Sequence, residues 1–399
     1  MSFQIALTGL NAASTDLTVT SNNISNANTT GFKRSRAEFS DVFAGDASGI
    51  GAGVRLVNVR QENSQGNVEI TERQLDLAVS GDGYLVLSDG GALLYSRVGS
   101  MGIDSSGYVQ NSQGERLQIY PPTAQGGFNT GSLQDFQLTV DVNPPQASGL
   151  VTMAVNLPAN ATPPAAAPFD AADPDTFNHS TSTIVYDSLG VAHTATYYFV
   201  NNAPGSWDVA QTVDGTQVGT LQPVTFDANG ALATPPAGNV SFGAYVPTNG
   251  ASPLTADLDL LQTTQYGDNF VVNAINPDGR AAGRLVNVEI DQSGVVFARY
   301  SNGQSTSLGK IAVATFANPE GLTKASDISY QESFASGTAL RGEAGTSNFG
   351  IIQSGALESS NVDLTAELVN MITAQRLFQA NAQVISTMDA VTQTIINIR

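Results

Sequence analysis

Residues 361–399 read NVDLTAELVNMITAQRLFQANAQVISTMDAVTQTIINIR. Apolar side chains recur at Leu364, Leu368, Met371, Ala374, Phe378, Ala382, Ile385, Met388, Val391, Ile395 and Ile398. Steps of three and four are the period of an α-helix. No Gly or Pro interrupts the run, and Asn361 or Asp363 can cap its start with Glu367 in the first turn. A helix of roughly 38 residues would be about 57 Å long, more than a compact domain needs. Val369, Ile372, Leu377, Val384 and Ile396 lie beside or behind the stripe. A helix apolar nearly all round must be covered on several sides. A bilayer is a poor cover, because Asn370, Gln375, Asn381, Gln383 and Asp389 break any clean apolar span. Protein is the better solvent, including further copies of this chain.

The other end repeats the pattern. Phe3, Leu7, Leu10, Ala13, Leu17 and Ile24 form one stripe over residues 3–27, and Gly31 is a plausible stop. The Asn- and Ser-rich run over 21–28 weakens that helix by competing for backbone hydrogen bonds. Alone, either helix would be marginal in water. Pairing them brings both chain ends together. The assembly surface is therefore assigned to Phe3, Leu7, Leu10, Leu17, Ile24, Leu364, Leu368, Met371, Phe378, Ala382, Ile385, Met388, Val391 and Ile395.

Inward from the ends, Lys33, Arg34 and Arg36 form a small basic cluster, expected to meet acids of another subunit or water. Residues 44–53 are Gly-rich and read as a loop. Gly49, Gly51 and Gly53 lack dinucleotide-fingerprint spacing, and an alternating strand at Val54–Val59 follows where a helix would be needed. From there to about Val142 the signals are β. Leu75–Val79 leads through Gly81-Asp82-Gly83 to Tyr84–Leu87, which predicts a hairpin. Turns follow at Asp89-Gly90-Gly91, Ser106-Gly107 and Gln113-Gly114. Between Asn143 and Arg284 there is no Lys and no Glu, and eleven Asp face only Arg280 and Arg284. Strand signals return at Thr183–Tyr186, Ala195–Val200 and Phe270–Val272. After Arg284 the earlier style resumes, and the loop Asp291–Val295 echoes Asp104–Tyr108.

The fold class expected is mainly β with long terminal α-helices: two nested β domains, barrel- or sandwich-like, plus a coiled-coil pair from the two chain ends. The division expected is 1–28 with 361–399 as a helical domain, 29–70 with 350–360 as a connecting segment, 71–144 with 285–349 as a middle β domain, and 145–284 as an inserted outer β domain.

The chain has 399 residues, a formal net charge of −19 and only 13% charged residues. That balance argues against nucleic acid or an anionic membrane as partner. Cysteine is absent, which removes disulfides, zinc–thiolate sites and thiol catalysis together. A chain without crosslinks can also be threaded unfolded through a narrow pore. The start, Met1–Ala6, lacks the basic n-region of a signal peptide, and Thr8, Gly9 and Asn11 interrupt any apolar core. Asp170, Asp173 and Asp175, or Asp257 and Asp259, do not match a Ca²⁺-loop spacing. His179 and His193, the only histidines, have no third metal ligand in view. No nucleophile elbow, P-loop or catalytic carboxylate pair stands out. The expectation is no enzyme and no cofactor.

The stretch Ala6–Ala13, with Ser21-Asn22-Asn23-Ile24-Ser25-Asn26 and Asn28-Thr29-Thr30-Gly31-Phe32-Lys33, resembles the signature of the bacterial flagellar rod and hook protein family. So do Ser354–Leu364, Glu367–Ile372 and Gln379–Gln383. Arg299–Gln304 and Ala317–Leu322 resemble the hook branch of that family. The resemblance implies an extracellular structural subunit, exported unfolded by the flagellar type III apparatus without a cleaved signal. It implies a homopolymer: a short curved hollow tube, with the end helices lining its channel, that acts as a universal joint between rod and filament. Rod, hook cap and hook–filament junction proteins are the implied partners. Leu377-Phe378, Val384-Ile385 and Met388 with Ala390-Val391 make the last helix more apolar than the resemblance implies, so tighter helix contacts are expected. The competing readings are a distal rod or hook-associated axial protein, which would lack the long acidic insert, and a secreted β-rich adhesin using the insert to bind a ligand.

Overall fold

The computed structural model describes residues 2–42, 51–139, 142–346 and 348–397. Most of the Gly-rich loop expected over 44–53, together with Ile398 and Arg399, lies outside them. The chain forms two compact units, one of residues 1–139, 287–298 and 305–399, the other of 140–286 and 299–304.

In the first unit, helix α1 (Ser2–Ser25) packs against helix α2 (Leu364–Asn397). Asp363 caps α2, its Oδ1 accepting from the backbone N–H groups of Thr365 at 2.9 Å and Ala366 at 3.1 Å. Asn361 has another task. Its side chain accepts from Arg34 N–H at 2.7 Å and donates to the Glu62 carbonyl at 2.9 Å, tying the approach of α2 to the segment leaving α1. The Asn-rich end of α1 holds its helix to Ser25 because Asn23 makes its bonds outward, exchanging two hydrogen bonds with the backbone of Ser35. Beyond it, strand β1 (Ser35–Asp41) pairs antiparallel with β2 (Val54–Gln61).

The body of this unit is β. Ser305–Thr315 pairs with both Arg116–Tyr120 and Tyr84–Asp89, and those two also pair with each other. The sheet thus curls on itself, in the barrel-like manner expected, around Tyr84, Val86, Tyr95, Tyr120, Ala312, Ala314 and Phe316. One expected hairpin is absent. Leu77–Ser80 pairs with Ile351–Ser354, while Tyr84–Asp89 pairs with Ala92–Ser96 across Asp89-Gly90-Gly91. Gly83, at φ 132°, lies so close to Val313 that a Cβ would fall 2.6 Å from its Cγ1, so Gly81-Asp82-Gly83 passes the chain between sheets instead of folding it back.

The basic cluster also differs from expectation. Lys33 is buried, with Nζ 2.6 Å from Glu358; Arg34 reaches Glu367 at 3.2 Å, and Arg36 lies 3.6 Å from Glu38. Lys33 and Arg34 are taken by acids of the same chain, 325 residues away in the case of Lys33, while the Arg36 side chain is 59% exposed, in water as expected.

The second unit packs two five-stranded sheets. One is the meander His179–Tyr186, Ala192–Ala203, Ser206–Val213, Thr216–Phe226 and Leu232–Thr234. The other is built around Leu150–Pro158. Alternating residues from both, among them Val151, Met153, Tyr197, Phe199, Trp207, Val209 and Leu258, form a single core, which is the sandwich arrangement.

Candidate functional site

The helix pair is antiparallel. Asn23 Nδ2 donates to Glu367 Oε2 at 3.3 Å at one end of the seam. Towards the other, a Cβ on Gly9 would fall 2.8 Å from Asn381 Oδ1. The fully buried seam residues are small or polar: Ala6, Ala13, Thr20 and Asn23 on α1, Glu367 and Ala374 on α2. Small side chains let the two backbones approach closely. Spacings of seven between Ala6, Ala13 and Thr20, and between Glu367 and Ala374, are those of a heptad seam.

The residues assigned from sequence to the assembly surface divide into those that complete the seam and those that face water. Leu10, Leu17, Ile24, Met371, Phe378, Ile385 and Met388 are half-buried and alternate in steps of three and four with the small buried residues, and Ala382 is half-buried beside them. Phe3, Leu7, Leu364, Leu368, Val391 and Ile395 are exposed, as are Val369, Ile372, Leu377, Val384 and Ile396. Ile395 is 64% exposed. The seam register places the first turn of α1 beside Met388, so the last turns of α2 run on past it with every described side chain from Val391 onward exposed. Sequence reasoning placed Ala13 and Ala374 on the stripes but weighted bulk. The missed signal was the row of small residues at sevenfold spacing.

Burying a leucine- or isoleucine-sized side chain is worth roughly 1.5–3 kcal/mol. A strip with this many such groups in water is far larger than single scattered exposures. No described helix is long and apolar enough to cross a membrane.

Chemistry is sparse elsewhere. His179 and His193 stand on neighbouring strands six positions apart, since Phe199 faces His179 and Val185 faces His193. His179 stacks on Phe270 at 4.5 Å, and burial pushes its pKa down. His193 lies between two carboxylates, Nδ1 2.6 Å from Asp214 and Nε2 3.4 Å from Asp187. Asp170 and Asp173 cap local turns through Ala172 and Asp175 N–H. Among the described residues no group of three or more His, Cys, Asp or Glu is placed to hold a metal.

Comparison with known proteins decides the relationship. Along its whole length the chain is 39% identical to the whole Escherichia coli protein named flagellar hook protein FlgE. The chain belongs to the flagellar hook protein family. The Salmonella typhimurium hook protein is also 39% identical over the whole of both chains, and that of Borreliella burgdorferi 32% over 98% of each. Three family models match: flagella basal body rod protein at residues 3–33, flagellar basal body protein FlaE D2 domain at 156–280, and flagellar basal body rod FlgEFG protein C-terminal at 353–398. The crystal structure of Helicobacter pylori flagellar hook protein FlgE2 covers 73% of this chain and all of its own, with a TM-score of 0.55 at 15% identity. At that identity the likeness speaks for a hook-protein fold.

Proposed function

We propose that this chain is the structural subunit of a bacterial flagellar hook, polymerising into a short, curved, hollow tube that transmits torque from rod to filament as a flexible universal joint. The observation that carries the reading is the helix pair: its seam is closed within the chain, while Phe3, Leu7, Leu364, Leu368, Val369, Ile372, Leu377, Val384 and the end of α2 remain in water. Copies of the same chain supply the missing cover. In this reading 1–28 with 361–399 form the inner wall of the tube, 29–70 with 350–360 connect it outward, 71–144 with 285–349 form a middle layer, and 145–284 the outer domain. The fourteen assigned residues from Phe3 to Ile395 are its assembly contacts. The subunit does structural work without catalysis, and it operates outside the cell between rod and filament. The cysteine-free chain suits unfolded export through the type III apparatus, with the hook cap and junction proteins as neighbours at the growing end.

Electron microscopy of the purified full-length chain under assembly conditions tests this directly. Tubes are expected from the intact chain, and soluble monomers from a chain lacking 361–399. A full-length protein that stays monomeric at high concentration, or a truncated one that still forms tubes, overturns the reading.

A further inference from the structure

Asp16 lies on the inner side of α1 and opens into a hollow of about 280 Å³ between α1, β1 and α2, lined also by Asn23, Arg34, Arg36 and Glu367. The two arginines there are engaged by other acids, Arg34 by Glu367 and Glu62, Arg36 by Glu38. Among the described residues no cation pairs with Asp16. Burial, and then the neighbouring Glu367 carboxylate, raise its pKa, as expected of an acid left without a counter-charge.

The complementary group is on α2. Arg376 is its only basic residue, stands exposed, and has no acidic partner among the described residues. It follows Ala374, which is fully buried against α1, by two positions, so it projects roughly 200° away from the seam. The antiparallel register sets Asp16 opposite Ala374, which puts Arg376 and Asp16 within roughly 3 Å of the same height along the pair. Arg376 points away from the seam that Asp16 flanks, and the two do not pair within the chain. It is the arrangement a repeating, head-to-tail lateral contact requires.

We propose that Arg376 of one copy enters the hollow of the next and pairs with Asp16, fixing the height at which neighbouring terminal helix pairs lie side by side. The inference rests on the polymeric reading above and adds to it a defined lateral contact. It also gives a role to the lone cation of α2.

The absence of cysteine makes the test clean. Full-length Asp16→Cys and Arg376→Cys chains are mixed, assembled and treated with a thiol–thiol crosslinker about as long as an arginine side chain, since a direct disulfide needs Cα atoms within about 7 Å. Covalent dimers are expected in the mixed tubes, and neither from one variant alone nor from unassembled chains. In parallel, Arg376→Glu should raise the critical concentration for assembly roughly three- to tenfold, and Asp16→Lys combined with Arg376→Glu should bring it back towards the original. Mixed tubes with no dimer, dimers from one variant alone, or an Arg376→Glu chain that assembles normally would overturn the contact while leaving the polymer intact. Wild-type chains that form no tubes would remove the polymer reading itself, and this contact with it.

Discussion

Glu358 shows how single residues fasten the base of the helix pair to the β body. It is 1% exposed and divides its oxygens: Oε1 meets Lys33 at 2.6 Å and the Gly66 N–H at 2.9 Å, while Oε2 meets Arg97 at 3.3 Å. Burial lowers the Lys33 pKa even against this partner. Removing the shared acid strands two buried cations, so Glu358→Gln should destabilise the first unit by roughly 3–5 kcal/mol, read as a fall in its denaturation midpoint. An unchanged midpoint would show that the network is slack. His193 provides a pH-dependent counterpart in the second unit. Burial alone would lower its pKa, but the carboxylates of Asp214 and Asp187 outweigh that and raise it above the ordinary imidazole value. Stability gained from a raised base is complete below about pH 6.5 and fades as pH climbs through the raised value. Asp214, held down first by His193, and Asp187, held down mainly by Asn249 and backbone N–H groups against its burial, lose their contribution only on strong acidification. The second unit should therefore melt at a lower temperature at pH 9 than at pH 6, and His193→Gln should abolish the difference. Neither cluster was legible beforehand. Lys33 and Glu358 are far apart in the chain, and His193 finds Asp187 and Asp214 only once three strands are aligned.

Elements were more readable wherever local chemistry sets them. The echo between Asp104–Tyr108 and Asp291–Val295 proves to be one loop used five times among the described residues. In it an Asp or Asn side chain accepts from the N–H four residues on, and a Gly with φ near 80° stands three residues on. The copies begin at Asp104, Asn111, Asp187, Asp227 and Asp291, with accepting distances of 2.8–3.0 Å. Such a loop carries its own instructions, because the side chain replaces a backbone turn bond and only Gly takes that φ without strain. The Leu75–Leu87 hairpin misled because pairing there is decided by Ile351–Ser354, about 270 residues later, which no turn signal can reveal. The helices were readable from their period, and the stripes through Ala13 and Ala374 mark the face that closes the seam, but the period does not tell that its most buried members would be small or polar. Ala382 tests that face. It is half-buried in the middle of α2, and proline there would remove a backbone bond, clash with the carbonyl of Phe378 and cost about 3 kcal/mol or more. Ala382→Pro chains should keep their β spectrum and lose tube formation in electron micrographs. Normal tubes from this variant would mean that a straight α2 is dispensable.

At the scale of the whole molecule, the acidic region between Asn143 and Arg284 can be separated from assembly by its own geometry. Its two ends run together as a short antiparallel ladder: Asn143 and Gly283 exchange hydrogen bonds of 2.8 and 3.0 Å, and Gln146 and Arg280 exchange a second pair. Backbones bridged in this way lie roughly 5 Å apart, so a few glycines can close the gap left by residues 145–282. None of the exposed apolar residues of α1 and α2 is removed by that deletion. What is lost is charge, because the excised stretch carries eleven Asp against Arg280 alone. Copies carrying it repel one another, and about 0.1 M salt screens such repulsion beyond roughly 10 Å. The shortened chain should therefore still form tubes, at a critical concentration less sensitive to salt than that of the full chain. The measurement is pelleting across a salt series from about 0.02 to 0.5 M. If the shortened chain folds but fails to assemble at every salt concentration, the acidic region holds the polymer together and the helix pair does not suffice. If both chains respond to salt alike, the repulsion lies elsewhere.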